Sequence, residues 1–167
     1  MNIRNIASGL LLSALLVTAA AAMNKTNFSG QWVMDKAKSE GVPADMEQRM
    51  KVEQEGDTIE IETDLFQGDN ITTVPDKYLV TGKVVALHAK LGTGEETVGK
   101  RLAQWNEDGK GFAVNDVAEF ETAKGKVTIT TKRKWAMGAD DKSLVIEMTR
   151  TGPQGTTKSK RTFTRKY

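Results

Sequence analysis

Arginines recur where alternation would place apolar side chains. In "KVTITTKRKW", Arg133 continues the face of Val127, Ile129 and Trp135. In "SLVIEMTR", Arg150 continues the face of Leu144, Ile146 and Met148. In "RTFTRKY", Arg161, Arg165 and Tyr167 share the face of Phe163. A guanidinium turned into a dry interior is costly unless something compensates it. It needs a carboxylate from the protein, a position at a wet end, or an acidic ligand. The chemistry on offer is therefore anion binding by bidentate, charge-assisted contacts. One arrangement receives the polar head of an amphipathic ligand on Arg133 and Arg150, with its tail against Met148, Ile129, Phe120 and Phe112. The other pairs the arginines with internal acids or leaves them in solvent at a rim.

Other chemistry is poorly equipped. There is one histidine, His88, and no cysteine. This excludes soft-metal centres and Cys–His or multi-His ligation. His88 falls in phase with Val84, Ala86 and Lys90, which reads as a structural or solvated position. No Gly-x-Ser-x-Gly elbow, phosphate loop or dinucleotide fingerprint occurs. The acids of "EIETD" alternate outward, and solvated carboxylates make poor acid–base pairs. No catalytic residue, metal or cofactor is expected, and the chain does not read as an enzyme.

The elements that must position these residues are strands. In "DTIEIETDL", Ile59, Ile61 and Leu65 oppose Glu60, Glu62 and Asp64. Such period-two alternation marks a sheet with one dry and one wet face. Ile59, Ile61, Val127, Ile129, Leu144, Ile146 and Phe163 are expected inside, with Glu60, Glu62, Lys126 and Thr128 outside. Short turns at Gly56-Asp57, Lys124-Gly125 and Pro153-Gln154-Gly155 separate the runs. Short strands and tight turns at this spacing predict an antiparallel barrel or sandwich. Val42–Met50 reads either as a helix or as a loop feeding a strand. The final strand is basic and contains no acid, a pattern of a solvated face or one that attracts anions.

Residues 1–22 have a positive Arg4, an apolar Leu10–Val17 run and Ala20-Ala21-Ala22, the pattern of a secretory signal peptide. The run is shorter than the roughly 20 residues of a membrane span. The expected mature domain is 23–167, a single unit. Without cysteine it is neither lipid-anchored as a lipoprotein nor disulfide-bonded.

"NFSGQW" followed by "DKAKSE" resembles the opening of exported bacterial proteins with a lipocalin-like barrel. Trp105 with its acidic turn, and "KWAMGADDKSLVIEMTRTGPQGTTKSKRTF", resemble their later hairpins. The resemblance places the chain with lipocalins and fatty-acid-binding proteins. It implies an all-β, antiparallel up-and-down barrel of about 8–10 strands. In that architecture a first-strand Trp plugs one end and a last-strand basic side chain packs across it. Trp32 would be the plug, with Gly30 leaving room for the approach. The Arg-x-Tyr pair that grips a carboxylate in fatty-acid-binding proteins is matched by Arg165 and Tyr167, although Arg165 could instead be the residue over Trp32. The implied function is an exported, periplasmic or secreted protein that binds a small, largely apolar molecule, with or without an acidic group; the sequence leaves its oligomeric state open, a monomer being favoured. No nucleic-acid partner and no membrane span are implied. A filled barrel acting on an envelope partner, or an enzyme on the same barrel, are the alternatives.

Overall fold

The computed structural model describes residues 25–166. The expected signal peptide and Tyr167 lie outside the described residues. Ten strands follow one another: β1 Gly30–Met34, β2 Met46–Glu55, β3 Thr58–Gln67, β4 Asn70–Leu79, β5 Val84–Lys90, β6 Glu96–Trp105, β7 Gly111–Thr122, β8 Gly125–Met137, β9 Ser143–Gly152 and β10 Gly155–Lys166. They form one antiparallel sheet in the order β4-β3-β2-β1-β10-β9-β8-β7-β6-β5. The sheet is an up-and-down meander curled so that the first strand pairs with the last. Trp32 lies opposite Arg165 in that pairing. β4 and β5 are the two edges and share no ladder; across the seam between them the residues that meet are those of β4 and β6.

Alternation places the side chains. Ile59, Ile61, Leu144, Ile146 and Phe163 are buried, and Glu60, Glu62, Lys126 and Thr128 are exposed. Val127 and Ile129 are only half-buried, because they lie at the start of β8, away from the packed end. Residues 42–50 form no helix. Val42 to Asp45 is irregular and β2 begins at Met46. Met46, Gln48, Met50 and Val52 bury alternately along it, a period of two that overrides the helical reading. Among the described residues the only helical piece is a 3-10 turn, Lys36–Lys38, capped by the Asp35 side chain.

The core concentrates at one end. Phe112 stacks on Trp135 at 5.2 Å, and Phe28 meets Phe112 edge-on at 5.2 Å. Trp105 and Tyr78 complete this aromatic floor. Trp32 is fully buried and donates its indole N–H to the Phe28 carbonyl at 3.0 Å. The Arg165 guanidinium covers the indole face, 4.3 Å from the ring centre, and donates to the Ser29 carbonyl at 2.5 Å. Gly30 permits this. A Cβ there would lie 2.7 Å from Arg165 Nη1, and its φ of +143° disfavours any other residue.

Trp32→Ala is expected to cost about 3–5 kcal/mol, as for other fully buried large aromatics. A urea unfolding midpoint equal to that of the natural protein would show that the floor does not depend on this ring.

Candidate functional site

Above the aromatic floor the interior opens into a cavity of about 200 Å3. β2 contributes Gln48 and Met50, β4 contributes Asp76 and Tyr78, and β8 contributes Arg133 and Trp135. Met148 of β9 and Arg161 of β10 complete the polar and apolar walls. Each side chain arrives because it occupies the inward phase of its strand.

The sequence-predicted residues separate into three groups. Arg133 and Met148 border the cavity. Phe112 lies in the floor, fully buried, and is no part of the cavity wall. Phe120 is buried farther along β7, and Ile129 is half-buried against the position of Gly152; neither borders the cavity. Arg150 corrects the expectation of an inward ligand contact. It keeps the phase of Leu144 and Ile146, but it is exposed near the end of β9, beyond the packed interior. Arg165 lies over Trp32, outside the cavity, and Tyr167 falls outside the described residues. Arg165 thus takes the other role the resemblance allowed, the cover over Trp32. The β10 arginine that reaches the interior is Arg161.

A buried ion cluster lies beside the cavity. Arg101 of β6 is 6 % exposed and Asp116 of β7 is 5 % exposed. Arg101 Nε and Nη2 donate to the two Asp116 carboxylate oxygens at 2.7 and 2.9 Å, a bidentate pair. Across the seam, Arg101 Nη1 donates to Asp76 Oδ1 at 2.5 Å and to the Lys77 carbonyl at 3.0 Å. The same guanidinium lies 4.8 Å from the centre of the Tyr78 ring. Arg133 Nη1 donates to Asp116 Oδ2 at 2.6 Å. Burial pushes the Asp116 carboxyl up, but the hydrogen bonds from Arg101 and Arg133 outweigh it and hold it below the ordinary carboxylate range. Burial also pushes the Tyr78 phenol well above its usual value, so it stays neutral.

Arg161 differs. Its Nη1 donates to Gln48 Oε1 at 2.8 Å, a neutral acceptor. Its Nε is buried without a partner, as are Ser159 Oγ and Trp135 Nε1. It forms no ion pair with any described residue. Burial, and then the like charge of Arg133, hold its pKa below the usual arginine value. Around the cavity three guanidiniums face two carboxylates, an excess of one positive charge.

Arg101, Asp116 and Arg161 carried a readable signal. Arg101 is in phase with Ala103 and Trp105, and Asp116 interrupts the apolar phase of Val114, Ala118 and Phe120. Gln48 and Tyr78 had no such mark, since their strands were not resolved from alternation.

The chain matches no family model and no curated protein. It does match solved structures. Human cRBP IV aligns with a TM-score of 0.52 at 18 % identity, covering 84 % of this chain and 99 % of that one. Apo lipid binding protein 8 of Caenorhabditis elegans aligns at 0.52 and 11 % identity, covering 83 % and 95 %. A REP1-NXSQ fatty acid transporter aligns at 0.50 and 12 % identity, covering 83 % and 96 %. The fold is that of the fatty-acid-binding and lipocalin-like barrels. At these identities the likeness is one of architecture.

Replacing Arg101 by Met would leave Asp76 without its cation and Asp116 with Arg133 alone, and is expected to cost about 3–5 kcal/mol. The cluster also fixes a pH dependence. The Asp116 pKa is lowered on folding, so its contribution is present above the unfolded aspartate value and is lost as pH falls through the lowered one. Urea midpoints should therefore decline below about pH 4. An Arg101→Met midpoint equal to that of the natural protein at neutral pH would remove the cluster from the stability of the barrel.

Proposed function

We propose that the protein binds a compact amphipathic anion inside the barrel. The anionic head meets Arg161 and Arg133, and the apolar body rests on Trp135, Met50 and Met148. One observation carries this reading. Arg161 is turned inward and is held by one neutral hydrogen bond, with no carboxylate to compensate it. A desolvated, unmatched guanidinium is costly to the empty protein and becomes favourable when an anion arrives. The cavity is smaller than the roughly 300–1,000 Å3 typical of ligand sites, so a wholly enclosed ligand is compact. Two neighbours support the class of ligand by their descriptions as a fatty acid transporter and a lipid binding protein. The reading is of a binding protein, not an enzyme, acting as an exported monomer. The leader-like residues 1–22 support export, and the absence of cysteine argues against a lipoprotein anchor.

Titration with a fluorescent fatty-acid analogue, displaced by medium-chain carboxylates, tests the site. Arg161→Met should weaken binding at least tenfold, about 1.4 kcal/mol, while its unfolding midpoint stays equal or rises. Arg150→Met should leave binding unchanged. If the natural protein shows no saturable binding to any carboxylate, the filled-barrel alternative takes over.

A further inference from the structure

The basic last strand acquires a partner surface in the fold. β8, β9 and β10 are neighbours, and their outer faces combine. Lys132 of β8 pairs with Thr149 of β9, which pairs with Lys158 of β10. One step along, Lys134 pairs with Glu147, which pairs with Lys160. Four lysines thus occupy the corners of a rectangle, roughly 10 Å across two strand spacings and roughly 7 Å along each strand. Lys132, Lys134 and Lys158 are exposed and Lys160 is half-buried. None of the four forms an ion pair with a described residue. The neighbouring acids are Glu147, between Lys134 and Lys160, and Glu40, whose backbone bridges to that of Lys160. No acid stands opposite Lys132 or Lys158.

The outer face of β2–β4 has the opposite balance. Around the barrel, the outer faces of β2 and β3 carry Glu47, Glu53, Glu60 and Glu62. Lys51 of β2 and Lys77 of β4 are each held by a glutamate at 2.7 Å. With a formal net charge of only +2, the asymmetry acts as an orienting dipole rather than as a bulk attraction.

We propose that the outer face of β8–β10 docks the protein on an anionic lipid surface. The face is convex and its lysines diverge, so it offers no concave cradle for one small anion. Its four cations match an extended sheet of negative headgroups, where each basic residue near the surface adds to the attraction. Apart from the small Ala136 and the half-buried Val145, the apolar side chains of these strands point into the barrel, so contact is peripheral and salt-sensitive, with no insertion. This proposal is independent of the cavity and of its ligand.

Cosedimentation of the purified protein with phosphatidylcholine vesicles, with and without phosphatidylglycerol, tests it. Neutral vesicles report any contribution from the apolar N-terminal stretch. Binding should require the anionic lipid and fall as salt is raised. The Lys132→Glu/Lys158→Glu variant should lose at least about tenfold in affinity, with an unchanged unfolding midpoint. Lys51→Gln/Lys77→Gln, on the other face, should bind as the natural protein does. Equal binding to neutral and anionic vesicles, or full binding by the double Glu variant, overturns the proposal. Binding to a soluble polyanion such as heparin that outcompetes the vesicles also overturns it, in favour of a polyanion partner.

Discussion

A curled sheet whose first and last strands pair still has two free edges, and in this protein everything depends on how they are held together. Backbone hydrogen bonds close the β1–β10 side, but β4 and β5 share no ladder. Arg101 does the work there. It reaches from β6 to a carboxylate and a backbone carbonyl on β4, while Asp116 holds its other side. A single well-matched cluster stands in for a row of backbone bonds. Replacing only one of its members would leave uncompensated charge in a low-dielectric space. The edge strand it secures carries Pro75, which removes one donor and makes β4 a poor template for another chain.

That closure makes the two halves of the interior different in kind. The end bearing Trp32, Phe112 and Trp135 is packed with interlocking rings and has no room for a guest. The other end is polar on one wall and apolar on the rest. Asp116 links the halves, because it holds Arg101 for the seam and Arg133 for the cavity wall. Arg133 is therefore already matched, and Arg161 is left as the surplus charge.

Most of the architecture was legible from alternation. Strands with strict period two, such as β3 and β8, announced both their faces. The first strand was legible for a different reason: Gly-x-Trp makes physical sense only where another chain crosses closely over an indole. Residues 42–50 stayed open between a helix and a loop feeding a strand, because a proline and acidic residues imitate a helix start while the polar Gln48 breaks the apolar alternation that would have revealed β2; the loop into a strand is what forms. The site was less legible than the fold. Arg133, Arg150 and Arg161 look alike in sequence, since each continues an apolar phase. What separates them is height along the barrel, which depends on strand stagger and is invisible to a period of two. Their partners were hidden for a related reason, since the acid that neutralises a buried arginine lies on another strand.

The pairing of Gln31 with Lys166 joins nearly the whole described chain end to end. Such a contact has the largest sequence separation of any strand pairing in the sheet, and loop closure must precede it. During synthesis, β2 to β9 can form hairpins with their neighbours as they appear. β1 is only five residues long and has one partner, β2, until β10 exists. Until then the indole of Trp32 lacks its covering guanidinium and the barrel is unclosed on the β1 side. The last dozen residues therefore act as the final step of assembly, and a chain stopped short of them presents an unfinished, adhesive sheet.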